Sequence, residues 1–394
     1  MPDVFLLAML VVAVAIGWWL GRRERQESGR TSVPSALPRD YFVGLNYLLN
    51  DQQDRAIETF IGALEVNSET IETHLALGNL FRTRGEADRA LKIHQNLLAR
   101  PTLTAGQSDR VQLELSRDFL ALGLLDRAER LLQSLVRDCQ DDELRDTARR
   151  LLVDLLEREG EWRAALDVAL PRLVRQHDDI RRAAAHWLCE LAEQERHSAS
   201  PVLARRHLRQ ALTTDPRCVR ANLLLAAMEH ETGHYKPAIR LLRRIPDQDP
   251  AFTPAILDPL TRAYRLLDDE EGLIRCLREL LDQSPSTSVI TRLAETLRHH
   301  HGDDRDALLL VIRQLEREPS LGAVHYLLSL YRHDAKENED ERLAVLQQHI
   351  HTLVQALPRH RCRRCGFSGE RLRWQCPRCR NWGTTKPIIG IEGE

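Results

Sequence analysis

Eight cysteines occur in 394 residues, and their spacing separates them into two groups. Four form a repeated C-x2-C pattern near the carboxyl end, Cys362-Arg-Arg-Cys365 and Cys376-Pro-Arg-Cys379, with ten residues between the pairs. A C-x2-C turn aims two sulfur atoms at one point while its backbone amides face inward, and two such turns complete a tetrahedral shell of thiolates. The chemistry this pattern supports is metal binding, at about 2.3 Å per sulfur for zinc. With all four positions filled by protein, the expected ion is structural, because a catalytic ion keeps one position for water or substrate. The metal is also physically needed. A segment of roughly 30 residues buries too little apolar surface to fold alone, and structural zinc supplies on the order of 10–16 kcal/mol in comparable peptides. The pattern therefore predicts one ion held by Cys362, Cys365, Cys376 and Cys379, with zinc favoured over iron. A redox C-x2-C pair would not need a second copy.

Iron stays open because the Cys365-Gly366 and Cys376-Pro377 knuckles are similar to those of rubredoxin, and with it an electron-carrier reading. The same segment is basic: Arg359 to Arg380 contains eight arginines against one acid, Glu370, with Phe367 and Trp374 interleaved. Such a knuckle suits RNA, which gives an alternative function as an RNA-binding regulator. It suits an acidic protein surface or the face of a membrane equally well. Cys139, Cys189, Cys218 and Cys276 stand singly and read as small buried thiols, with no disulfide framework. Thiolates kept reduced favour the cytoplasm.

Other apparent chemistry dissolves on inspection. His230-Glu231-Thr232-Gly233-His234 fits the H-E-x-x-H pattern of zinc proteases, but that pattern needs both histidines on one face of an unbroken helix. Gly233 falls at a predicted inter-helix turn, so the helix should end between them. His299-His300-His301, ahead of Gly302-Asp303-Asp304, sits at the equivalent turn of a later repeat and reads as solvated. No phosphate-binding loop, nucleophile elbow or dinucleotide fingerprint occurs, so no catalytic residue is predicted.

The elements that must position the cysteines come from a repeat. Gly44, Tyr47 and Ala56 recur as Gly78, Phe81 and Ala90, each displaced by 34 residues. That period signals stacked helical hairpins, in which a small residue lets helix A approach helix B and an aromatic fills the space beside it. Helix B positions continue at Ala128, Ala165, Ala204, Ala238, Leu273 and Ala307, with turn glycines at 123, 160 and 233 and closing prolines at 216, 250, 285 and 319. Eight hairpins are visible, and a ninth, degenerate pair covers Leu321 to Ala356. The array, from about residue 37 to 356, resembles the tetratricopeptide repeat (TPR) family, which implies a concave groove that holds peptides, helices or domains. Asn79, Arg82 and Arg117 occupy groove-type positions and are the candidate protein-binding residues. The first repeat offers Tyr41 and Leu45 where an acidic-tail clamp would need basic residues. Only Leu357 and Pro358 separate the array from the cysteine module, which predicts packing on the last repeats.

Ahead of the array, Val4 to Leu20 carries no charge, and at 1.5 Å per residue a helix of that length spans roughly 26 Å. Arg22, Arg23, Arg25 and Arg30 follow it, and no positive charge precedes it, which predicts an uncleaved single-pass anchor whose basic side stays cytoplasmic. Residues 22–36 read as a linker. Lys+Arg 56 against Asp+Glu 58 leaves a net charge of −2, so no global field draws the chain to nucleic acid or anionic lipid. With 43% hydrophobic and 29% charged residues, most of the chain is a folded soluble body. The fold class is all-α: an N-terminal transmembrane anchor in residues 1–21, a TPR superhelical solenoid in 37–356 and a small four-cysteine, rubredoxin-like metal ribbon in 357–394.

The order of these parts, with DYFVGLNYLLNDQQDRAIETF, LGNLFRTRGEADRALKIHQ, GLLDRAERL and the terminal CRRCGF…WQCPRCRNWGTTKPIIG, resembles the lipopolysaccharide assembly protein B family over essentially the whole chain. The resemblance implies a non-enzymatic inner-membrane adaptor. It would promote degradation of the lipid A pathway deacetylase LpxC by the membrane protease FtsH, alongside other lipopolysaccharide assembly proteins. The four cysteines carry over as metal ligands and residues 4 to 20 as the anchor. The resemblance assigns no groove residue of the family to a position in this sequence.

Overall fold

The structure is a computed structural model. It describes residues 71–389 apart from 102, 198–199, 284, 302–303 and 335–336, together with positions 43, 46, 47, 55 and 59. The expected anchor, the linker and nearly all of the first repeat lie outside the described residues. Among the described residues no helix is long and apolar enough to cross a membrane.

Contacts divide the chain into two units, the first ending at Leu131 and the second running from Leu132 onward. The first contains α1 (Ile71–Thr83), α2 (Ala87–Leu98) and α3 (Ala105–Ala121), and α4 (Leu125–Asp138) crosses the boundary. The second continues with α5 (Asp142–Glu159), α6 (Trp162–Ala169), a one-turn α7 (Leu173–Gln176), α8 (Asp178–His197), α9 (Pro201–Thr214), α10 (Val219–Glu231) and α11 (Tyr235–Leu242). A one-turn α12 (Ile245–Gln248) and a 3-10 turn (Pro250–Phe252) lead to α13 (Thr253–Leu266) and α14 (Glu270–Gln283). The helices end with α15 (Thr287–His301), α16 (Asp304–Arg317), α17 (Leu321–Asp334) and α18 (Glu337–Ala356). Eight hairpins are thus visible among the described residues. α7 is extra chain between two of them, which accounts for the longer interval between Ala165 and Ala204.

Every helix B position read from the period, from Ala90 through Leu273 to Ala307, is fully buried. Gly78 also behaves as its place requires: a Cβ built there would collide with Nε2 of His94 on the facing helix. In the first unit Phe81 and Ala90 share a core with Ile71, Leu75, Ile93, Leu97 and Val111. In the second, a larger cluster joins α10, α11, α13, α14 and α15, and Leu372 and Trp374 of the cysteine module pack against it.

Capping fixes the helix that matters most for the site. Asp141 accepts the amides of Glu143 and Leu144 at the start of α5, and Gly160 ends it at φ 77°, a cap worth ~1 kcal/mol at the N-terminus alone. This places Glu157 on the last turn of α5 and Trp162 on the first turn of α6. The cysteine module is a three-stranded antiparallel ribbon with order β2-β1-β3, formed by β1 (His360–Cys362), β2 (Ser368–Gly369) and β3 (Thr385–Pro387). Cys362 is opposite Thr385 in the register of β1 and β3.

Candidate metal centre and its seat on the repeats

The four cysteines of the double C-x2-C pattern converge. Their sulfur atoms all lie within 4.8 Å of one another, the one such group of potential metal-holding side chains among the described residues. Cys362 and Cys379 are 3.7 Å apart at sulfur and Cys365 and Cys376 3.6 Å. A zinc tetrahedron with bonds of about 2.3 Å has sulfurs about 3.8 Å apart, so the cage fits a single four-coordinate ion. Each knuckle is closed by its backbone: the Gly366 amide donates to the Cys362 carbonyl at 3.0 Å, and the Arg380 amide to the Cys376 carbonyl at 2.8 Å. The Thr384 hydroxyl lies 3.3 Å from Cys362 sulfur. Burial pushes thiol pKa values up, yet at Cys362 this hydroxyl and the amides of Cys365 and Arg364 outweigh it and bring the value down to about 6. At Cys376 burial prevails, and the value is pushed up to about 12. The site's own dipoles therefore favour at least one thiolate before any cation arrives.

The module does not pack on the last repeats, as its short tether suggested. Its contacts fall on the middle of the array, between Glu157 and Phe252. α18 alone is 20 residues, roughly 30 Å of helix, so a two-residue tether does not confine the module to the hairpin that precedes it. Two devices set the seat. The first is Glu157, whose carboxylate accepts hydrogen bonds from Trp187 Nε1 at 2.9 Å, Trp382 Nε1 at 2.8 Å and Gln375 Nε2 at 2.8 Å. Arg380, at φ 56° in the left-handed region that favours glycine, brings its guanidinium to 3.8 Å from the same carboxylate. Burial raises the Glu157 pKa, opposed by the bonds from Trp382 and Trp187 and by the Arg380 charge.

The second device is a run of rings. Trp162 meets Trp382 edge-on at 5.9 Å, Trp382 stacks on His186 at 5.2 Å, His186 faces Trp374 at 5.7 Å, and Trp374 stacks on Phe252 at 5.4 Å. Such ring pairs contribute ≈ 0.5–1.5 kcal/mol each beyond the area they bury. His186 is neutral: burial first, then the charges of Arg220 and Arg182, lower its pKa to about 3. Gly383 permits this closeness, since a Cβ there would lie 3.1 Å from His186 Nε2 and 3.2 Å from Arg182 Cδ. Lys386 adds an ion pair with Asp249 at 2.7 Å. Trp374, one of the rings an RNA base would need, is thus stacked on the protein's own Phe252.

Asn79, Arg82 and Arg117 are also brought together, in the first unit. Arg82 donates to Asn79 at 2.6 Å, to Glu114 at 2.6 Å and to Asp118 at 2.8 Å, while Arg117 pairs with Glu114. Asp118, fully buried, also holds His94 Nδ1, so the network ties α1, α2 and α3. The H-E-x-x-H sequence is broken as expected: α10 ends at Glu231, Gly233 has φ 76°, and His234 precedes α11, which begins at Tyr235. His299 and His300 lie within the last turn of α15 rather than in the turn beyond it, and both approach Glu270. The sequence reading missed Glu157, Trp162, His186 and Trp187. Their signal was faint: an acid one turn before a helix-ending glycine, and two of only six tryptophans.

Two family models match the chain, one described as a rubredoxin metal binding domain over residues 360–387 and one as a tetratricopeptide repeat over residues 199–258. Among curated proteins, lipopolysaccharide assembly protein B of Escherichia coli K12 is 35% identical, with 98% of this chain and 99% of the relative covered. The protein of that name in Haemophilus influenzae is 33% identical, with 98% of each covered. Among solved structures, a tetratricopeptide repeat protein from Parabacteroides merdae is 13% identical, with 71% of this chain and all of that chain covered at a TM-score of 0.33.

Proposed function

The chain belongs to the lipopolysaccharide assembly protein B family, and from that premise we propose that it is a membrane-tethered, non-enzymatic adaptor that regulates lipopolysaccharide synthesis. In this reading residues 1–21 anchor it in the inner membrane, residues 22–36 form a linker, and the rest lies on the cytoplasmic side. Its hairpins bring LpxC to FtsH for proteolysis. Confinement to one membrane raises the effective concentration of protease and client for each other without a new contact. No step of this work needs a catalytic group.

The observation that carries the proposal is the seat of the cysteine module on the array. Cys362, Cys365, Cys376 and Cys379 fit a closed tetrahedral ion, with zinc favoured over iron. When bound, that ion supplies a structural cross-link and no open position. Glu157 and the ring stack then lock the module to α5, α6 and α8, which makes one rigid scaffold surface. Asn79, Arg82 and Arg117 are the positions assigned to protein contact in the first unit, with Arg82 held in place by Glu114 and Asp118.

Crosslinked pull-down from membranes tests the reading. The protease and the deacetylase should both be captured by the wild-type chain. Cys362→Ser, which leaves three thiolates and an incomplete shell, should lose metal and capture together. Capture of neither protein by the metal-loaded wild-type chain would refute the adaptor role.

A further inference from the structure

Beside the ring stack lies a cleft of about 900 Å³ between the cysteine module and the array, within the ≈ 300–1,000 Å³ range of small-molecule sites. Its walls carry an excess of positive charge, five cationic side chains against three carboxylates. Arg182 comes from α8, Arg217 from the turn before α10 and Arg363 from the first knuckle of the ribbon. Of the three carboxylates, two are in ion pairs and the third is bonded to a backbone amide. Asp178 pairs with Arg181 at 2.7 Å, Asp249 pairs with Lys386 at 2.7 Å, and Asp215 accepts the Arg217 backbone amide at 3.0 Å. Among the described residues, the guanidinium groups of Arg182, Arg217 and Arg363 have no carboxylate partner.

Two further features add positive potential. α10, of 13 residues, begins at this cleft and the residue preceding it is Cys218, which has no capping oxygen; α8 begins here too, with Asp178 and Asp179 on its first turn. The remaining first-turn amides of α10, beyond the Ala221 amide that meets the Cys218 sulfur, and its helix dipole favour an anion. His186, a buried wall of the cleft, keeps Nδ1 without a hydrogen-bond partner among the described residues. Burial is the main cause of its depressed pKa, with smaller contributions from Arg220 and Arg182.

We propose that this cleft binds a phosphorylated ligand of diphosphate size, whose oxygens bridge Arg182 and Arg217 of the array to Arg363 of the ribbon. A carboxylate presents two oxygens in one plane. Three guanidinium groups arriving from three separate elements suit the tetrahedral oxygens of phosphate better. Because the groups belong to both parts, the bound anion clips the module to its seat. The phosphate could come from a soluble diphosphate or from a phosphorylated lipid headgroup. This inference stands whether or not the adaptor reading holds.

The test uses the full-length, metal-loaded protein titrated calorimetrically with inorganic pyrophosphate. The expected result is saturable one-to-one binding with Kd below about 1 mM and a raised midpoint of thermal unfolding. Arg217 and Arg363 are exposed, so an Arg217→Ala/Arg363→Ala double variant should fold and retain metal. Each lost charge-assisted bond costs roughly tenfold or more in affinity, so the double variant should bind at least about a hundredfold more weakly. Arg137→Ala, an exposed control remote from the cleft in sequence, should bind as the wild type does. Flotation with vesicles containing phosphatidic acid separates the sources. Binding to vesicles that the double variant loses assigns a headgroup, and pyrophosphate binding without vesicle binding assigns a soluble ligand. No saturable pyrophosphate binding, equal binding by the double variant, or binding of a polyglutamate peptide where pyrophosphate fails would overturn the proposal.

Discussion

Glu157→Ala should release the cysteine module from the array without unfolding either part. The side chain accepts three hydrogen bonds, from Trp187, Trp382 and Gln375, and both indoles are buried, Trp187 at 0% exposure and Trp382 at 6%. A buried donor left unpaired costs ≈ 1–3 kcal/mol; the Trp187 bond lies within the array, so the Trp382 indole and the Gln375 amide, which cross the seam, lose about 2–6 kcal/mol in docking. The carboxylate carries its own desolvation cost, the reason its pKa is raised, and removing it returns part of the loss. The net effect should be about 2–4 kcal/mol, a factor of roughly 30 to 1,000 in the docking equilibrium. Glu157→Gln keeps an acceptor oxygen in nearly the same place and should cost only about 1 kcal/mol. Hydrogen exchange is the assay. The Gly383 amide, which donates to the Trp374 carbonyl at 2.8 Å, and its neighbours at residues 374–383 should lose protection in the alanine variant and keep most of it in the glutamine variant. Unchanged protection in Glu157→Ala, with metal still bound, would show that the carboxylate does not hold the seat.

His186 predicts acid sensitivity at the same interface. Its native pKa is about 3 against an ordinary value of 6.5, so between those limits the unfolded chain binds a proton that the native state refuses. The stability is present above pH 6.5 and is lost as pH falls toward 3, by up to about 5 kcal/mol. Denaturant unfolding of the metal-loaded chain at about pH 5 and pH 7 should show this loss, and His186→Gln should flatten it; an equal slope in the variant would reassign the effect. Gly78→Ala should destabilise the first unit by ~1–3 kcal/mol, because the new methyl overlaps the His94 ring; an unchanged thermal midpoint would mean that the helices yield there. Asp268, at φ 55°, stands where other hairpins place glycine. Asp268→Gly should therefore be neutral or stabilising by up to about 1 kcal/mol, and a clear loss of stability by calorimetry would contradict the strain argument.

The repeat was legible because its cause is local. A helix B alanine must be small wherever two helices touch, so Ala90, Ala128, Ala165 and their successors mark the period directly. The metal site was legible for the same reason, since each knuckle is four residues long. The seat of the ribbon was not. Gln375 and Trp382 meet Glu157 across 218 and 225 residues of chain, and nothing in the local pattern pairs a buried acid with two distant indoles. Arg82 illustrates the same limit on a shorter scale. Glu114 and Asp118, one hairpin further on, engage the charge of this groove-type residue, and only three-dimensional structure brings them together.

The measurement that tests the adaptor role most directly is the lifetime of LpxC in cells from which this protein can be depleted. Depletion should lengthen the half-life, the wild-type chain should restore it, and Cys376→Ser should not. A half-life that stays the same with the protein present or absent would contradict the account.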